Sequence, residues 1–268
     1  MNSLKTEDTA SGSNNMARQG SVVAAMTLLS RISGLARDVV LSYLFGASQI
    51  ADMFFVAFRI PNFFRRLFAE GAFNQAFVPV LMQHKAAGQA QLLNFIASLS
   101  GLFASALTLF VVAGVLFAPA LTALFAPGFL DKPDVYSQTS ELVRITFPYL
   151  GLISLTAYAA ALLNAHGYFA LPAVTPVLLN VCLMLAAMVA IFGWVDVQPV
   201  VIVAWGVVVA GVAQFLVQLP ALGRLGLLPR PNLDTKQEGV RQVGKLLLPA
   251  VFAASVAQIN ALVNTILA

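Results

Sequence analysis

Pro199-Val200-Val201-Ile202-Val203-Ala204-Trp205-Gly206-Val207-Val208-Val209-Ala210 opens an apolar segment that continues to Leu222 without one charged side chain. A helix of that length spans about 36 Å at 1.5 Å per residue, enough to cross a hydrocarbon core of roughly 30 Å. It is far too long for a membrane barrel strand of about ten residues. The rest of the chain has the same character. Of its 268 residues 59% are hydrophobic and only 10% charged, where a soluble domain carries roughly 25%. The mean hydropathy is +0.85. These values exclude a disordered chain, a nucleic-acid-binding domain and an ordinary cytosolic enzyme. A single cysteine, Cys182, excludes a disulfide scaffold. The expected class is an all-α, polytopic membrane helix bundle.

Seven segments have roughly spanning length: about 22–45, 50–82, 91–117, 138–164, 172–193, 199–222 and 244–268. They are separated at Gly46-Ala47-Ser48, Gly88, Pro127-Gly128, Gly167, Pro172, Pro199 and Pro220, residues that interrupt helices. The second segment is too long. Its 33 residues would make about 50 Å of helix, so it must kink, break or end at an interface. Residues 1–20 are polar and read as a short disordered tail. With that tail cytoplasmic, the inner segments carry Lys5, Arg18, Lys85, Arg224, Arg230, Lys236, Arg241 and Lys245, and the outer loops only Lys132. This positive bias places the amino terminus inside. The longest inner connection, 223–243, anchors that topology, and a short surface helix is expected in it. The seventh segment runs apolar to Ala268 with no Lys, Arg, Trp or Tyr after it, as the first helix of a longer protein would.

Nine of the fifteen Lys and Arg residues lie in the tail and loops; the other six are arginines inside spans: Arg31, Arg37, Arg59, Arg65, Arg66 and Arg144. Each costs at least about 2.5–3.5 kcal/mol at the bilayer centre unless it lines water or meets a partner. The acids there are Asp38, Asp52, Glu70 and Glu141. Residues seven apart share a helix face. Arg31 thus sits with Asp38. Asp52, Arg59 and Arg66 form a stripe that Glu70 and Asn74 extend at intervals of four, with Pro61 able to bend it. Arg65 lies on the other side. One reading is a water-filled cavity that binds an anion, since guanidinium groups grip phosphate oxygens through paired hydrogen bonds and never deprotonate. The other is that each arginine pairs with an acid or reaches a headgroup, which suits Arg144, three residues from Glu141. No HExxH, GxSxG or phosphate-loop pattern occurs, and His84 and His166 lie far apart at loop edges. No cofactor or metal site is expected, and Cys182 reads as a packing residue.

Residues 30–38, Ser-Arg-Ile-Ser-Gly-Leu-Ala-Arg-Asp, resemble the first-helix motif of the MviN/MurJ family. So do 51–62, Ala-Asp-Met-Phe-Phe-Val-Ala-Phe-Arg-Ile-Pro-Asn, and most specifically 65–79, from Arg65-Arg66 through Glu70-Gly71-Ala72-Phe73-Asn74 to Pro79. Ala126-Pro127-Gly128-Phe129, Thr146-Phe147-Pro148-Tyr149 and the stretch from Asn164 to Pro172 continue the likeness. The resemblance covers nearly all of the chain after the tail. It implies a bacterial inner-membrane flippase for lipid II, the undecaprenyl-pyrophosphate-linked peptidoglycan precursor, within the multidrug/oligosaccharidyl-lipid/polysaccharide exporter superfamily. That family's fold has two six-helix lobes and two further helices. The chain matches the first lobe and the first helix of the second, which leaves the second wall of the cavity without residues here. The family's cavity arginines of the first helix correspond to Arg31 and Arg37. Its second-helix acid and arginine correspond to Asp52 and to Arg65 or Arg66.

The expectation is therefore a tail at 1–20, a six-helix lobe at 21–222, a cytoplasmic loop at 223–243 and a seventh helix at 244–268. Arg31, Arg37, Asp38, Asp52, Arg59, Arg65, Arg66 and Glu70 are the candidate substrate-binding residues. The function expected is lipid II flipping by alternating access in the bacterial inner membrane. The partners are lipid II and membrane lipids, and no nucleic acid; self-association of a half-length chain stays open. Export of another anionic lipid-linked saccharide, or lipid binding without transport, are the alternatives.

Overall fold

The structure is a computed structural model that describes residues 3–66 and 73–267, with backbone alone for residues 3–19, Asn74, Leu248, Ala254 and 257–267. The described residues form helices α1 (Ser3–Phe45), α2 (Gln49–Arg65), α3 (Phe73–Ala87), α4 (Gln89–Leu116), α5 (Ala118–Phe125), α6 (Pro133–Thr146), α7 (Pro148–Ala165), α8 (Ala170–Ile191), α9 (Pro199–Leu216), α10 (Leu219–Arg224) and α11 (Glu238–Leu267), with no strand among them. Among the described residues, four stretches are long and apolar enough to cross a membrane: Gln89–Leu116, Pro133–Ala165, Ala170–Ile191 and Pro199–Arg224. Of the seven expected spans, the first falls short of that measure because of its charges and the second because its helices are short. Arg31, Arg37 and Asp38 interrupt α1, and α2 has only 17 residues, with Asp52, Arg59 and Arg65 among them. In the seventh, α11, most side chains of the apolar half lie outside the description.

The over-long second segment divides, as its length required: among the described residues it holds two helices, α2 and α3, which join different cores. From Ser3 the polar first residues are helical backbone continuous with α1, and extending an existing helix needs no new nucleus. The inner connection holds no surface helix: α10 ends at Arg224, and α11 begins at Glu238, before the expected 244. That connection is laid along α4. Asn232 N–H donates to Ala97 O at 2.9 Å, so the strand of loop takes a backbone bond from a helix instead of making its own. It comes so close that a Cβ on Gly101 would lie 2.0 Å from Asn232 O, which makes glycine obligatory there.

Prolines inside the spans free carbonyls, and threonines take them. Pro61 in α2 has no N–H for the carbonyl of Ala57, four residues back. Thr146 Oγ1 on α6 donates to Ala57 O at 2.9 Å, fully buried. Pro176 in α8 likewise frees Pro172 O, which accepts from Thr175 Oγ1 at 2.9 Å. Thr146→Val keeps the shape and leaves Ala57 O unsatisfied in an apolar interior. We expect it to cost about 1–3 kcal/mol and to lower the thermal unfolding midpoint in detergent; an unchanged midpoint would show that the carbonyl finds another donor.

Two cores run through the bundle. One gathers Phe45, Phe54, Ile60, Phe125, Val143, Phe147, Leu183 and Val203; the other gathers Phe77, Leu81, Phe95, Leu162, Leu222 and Val243. The second lies at the end rich in Lys and Arg, where Lys85 Nζ donates to Ala165 O at the carboxyl end of α7. A cation there also suits the negative end of the helix dipole.

Candidate functional site

Helix α1 lies along α8 and meets α2 at its end, where the rings of Phe45 and Phe54 are 5.7 Å apart. The candidate charges fall on three faces of this arrangement. On α1, Arg37 is partly buried, with 21% of its side chain exposed, and pairs with Asp38, which is 57% exposed. The contacts are Arg37 Nη2 to Asp38 Oδ1 at 2.6 Å and Arg37 Nε to the same oxygen at 3.0 Å. The predicted neighbour of Asp38 was Arg31, seven residues back; the adjacent Arg37 takes the carboxylate instead, and Arg31 is exposed. Arg37 Nη1 donates to Asn180 Oδ1 on α8 at 3.0 Å. A guanidinium has five N–H groups. Three are used here, so one remains on each Nη, a spacing that suits two oxygens of one oxyanion.

On α2, Asp52 and Arg59 line one open cavity of about 610 Å³ with Phe55, Val56, Phe58 and Phe129. Arg66, the third residue of the stripe, is exposed. Arg65 turns the other way. It lines a second cavity of about 220 Å³ with Asn62, Tyr149, Thr156, Thr175 and Gln214, and its Nε donates to Asn62 Oδ1 at 3.2 Å. Asn62 is itself fixed, since its Nδ2 donates to Phe58 O at 2.8 Å. Glu70 lies outside the described residues. Arg144 does as its spacing from Glu141 suggests and forms an ion pair with it on α6.

The structure thus places Asp52 and Arg59 on one cavity, pairs Asp38 with Arg37, and puts Arg65 on a separate cavity whose mainly apolar wall carries a few hydroxyl and amide groups. Asn180, Asn62 and Gln214 were missed as site residues. The signal for two of them was an amide inside an otherwise apolar run, at 172–193 and 199–222. A polar side chain in such a run marks either a helix contact or a function.

A sequence model described as lipid II flippase MurJ matches residues 41–268. The chain belongs to the MurJ family. Among its MurJ relatives, a protein of Vibrio cholerae described as a probable lipid II flippase is 45% identical over 264 residues, covering 96% of this chain and 50% of that one. A lipid II flippase MurJ of Burkholderia cenocepacia is 42% identical over 256 residues, covering 94% of this chain and 49% of that one. The chain spans about half the length of the curated relatives it matches. A solved MurJ structure described as a lipid II flippase in its inward closed conformation superposes with a TM-score of 0.73, over 90% of this chain and 49% of that one; at 24% identity it shows the shared fold. The family model begins at residue 41, after Arg31, Arg37 and Asp38. The Vibrio alignment, which covers 96% of the chain, extends over them.

Proposed function

We propose that the chain is the first lobe of a lipid II flippase of the bacterial inner membrane. It binds the pyrophosphate-sugar headgroup on the arginines of α1 and α2 while the polyprenyl tail stays in lipid. The observation that carries this reading is Arg37: a guanidinium on a helix among apolar spans, held by two partners, with one N–H free on each Nη. Arg65, on α2, adds a second cation beside hydroxyl and amide groups suited to sugar and amide oxygens. Asp38 and Asp52 keep the site from holding the anion too tightly, since a transporter must also release its cargo. A second lobe completes the opposite wall, and rocking of the lobes exposes the site to each side in turn. The work is binding and movement, without bond cleavage, so the protein is a transporter and not an enzyme.

A chimera tests this. When the chain replaces the matching half of the Vibrio cholerae relative, the hybrid should sustain growth of cells depleted of their own flippase and move lipid II to the outer leaflet. A hybrid that inserts at normal levels and leaves lipid II on the inner leaflet contradicts the reading.

A further inference from the structure

We infer that Asn180 is a positioning residue for Arg37, holding the guanidinium in the orientation that presents its free N–H groups to the headgroup; the binding part of this rests on the proposed function. Asn180 is 5% exposed, in the middle of α8. Its Oδ1 accepts from Arg37 Nη1 at 3.0 Å, and its Nδ2 donates to Ser33 Oγ at 2.9 Å and to Ser30 O at 3.2 Å. Both amide hydrogens are used, and each acceptor is on α1. The amide can sit only one way round. Flipped, it would set an NH₂ against the guanidinium and an oxygen against Ser30 O.

The serine makes the arrangement tighter. Ser33 Oγ donates to Ser30 O at 3.0 Å and so offers its lone pairs to Asn180. α8 packs closely here: a Cβ on Gly34 would be in ordinary contact with Asn180 Nδ2, at 3.6 Å. Asp38 grips the Nε edge of Arg37 from its own helix, but it is exposed and adjacent in sequence, so it moves with α1. Asn180 is the fixed point on another helix. It carries no charge, so it orients the guanidinium without adding to the negative charge that Asp38 already sets against it. An aspartate there would hold Arg37 as well and add that charge.

Positioning can be read with no substrate at all. p-Hydroxyphenylglyoxal modifies free guanidinium groups, and peptide mass spectrometry separates the sites. In the whole chain carrying Asn180→Leu, the labelling rate of Arg37 should rise about threefold relative to Arg31 and Arg59, as an engaged Nη becomes free. Ser33→Ala, which removes one of the amide's three bonds and disturbs packing little, should shift it the same way and serves if Asn180→Leu fails to insert. Lipid II retention in native mass spectrometry should fall about tenfold in Asn180→Leu. It should show no further loss when Asn180→Leu is added to Arg37→Ala. An unchanged Arg37 labelling rate in either variant overturns the inference. So does a rise in labelling with lipid II retention intact, or an equal loss of retention in the Arg37→Ala background, which would mark Asn180 as a packing residue only. If the unaltered chain retains no lipid II while labelling responds as stated, the proposed function fails and the positioning of Arg37 stands.

Discussion

Arg37→Ala should lower lipid II retention by about a hundredfold or more while the chain still inserts and folds. The estimate follows from the bonds lost. Two charge-assisted hydrogen bonds to a pyrophosphate are each worth about 1.5–3 kcal/mol, and every 1.4 kcal/mol is a factor of ten. A second effect adds to it: the variant strips Asp38 of the cation that it contacts through two hydrogen bonds, so an unpaired carboxylate faces the incoming anion. Arg37→Lys keeps the charge but loses the planar fork, and its loss should be intermediate. Arg144→Ala is the control. Its guanidinium is paired with Glu141 on α6, and its removal should leave retention unchanged. Equal retention in Arg37→Ala and the unaltered chain, measured by native mass spectrometry at one lipid II concentration, would remove Arg37 from the site.

Gly114→Leu should produce the largest loss of stability of any single change proposed here. A Cβ at Gly114 of α4 would lie 1.9 Å from Cε1 of Phe147, a ring with no exposed surface. The ring cannot swing aside freely, because it sits 5.9 Å from Phe64 and 6.1 Å from Phe110, in a cluster that continues to Phe125. Helices in a membrane associate through close packing, for which small residues open the space. Forcing a leucine into this crossing must separate α4 from the junction of α6 and α7, and with it displace Phe64 beside Arg65 and Arg66 on α2. Overpacking costs about 1–3 kcal/mol, occasionally more, and a four-carbon side chain against a buried ring belongs at the upper end. The thermal unfolding midpoint in detergent should fall by many degrees. Gly128→Ala, where a Cβ meets nothing within 4 Å, should leave it unchanged. A stable Gly114→Leu protein would show that the α4 crossing is looser than the structure describes.

The sequence makes the spans legible where a run is uniformly apolar and bounded by helix breakers. Segments 91–117 and 172–193 match α4 and α8 within two residues at each end. It is less legible where an apolar run contains a break. In 50–82 the length alone required a break, and Pro61, Arg65-Arg66 and Glu70-Gly71 all offered places for it, so the sequence did not choose where α2 stops and α3 starts. The join between α6 and α7 was readable in principle, since Pro148 stands at the first helical position of α7, a place proline favours. Spacing correctly put Asp52 and Arg59 together and turned Arg65 away from them. It paired Asp38 with the wrong arginine, because periodicity along one helix ranks residues by face and does not weigh a neighbour whose long side chain folds back. The sequence marked Asn180 only as an amide in an apolar run and could not name its partner. The contact spans 143 residues of sequence between Arg37 and its acceptor, and only the packing of α1 on α8 brings them together.

Arginine-dependent recognition of the pyrophosphate is the centre of this account, and one comparison addresses it most directly. The unaltered chain, purified in detergent, is offered lipid II alongside undecaprenol, which has the same tail and no pyrophosphate, and the bound species are weighed by native mass spectrometry. The account predicts retention of lipid II over undecaprenol, weakening as added inorganic pyrophosphate rises. Equal retention of the two lipids, insensitive to pyrophosphate, would mean that the chain holds the tail alone and would contradict the account.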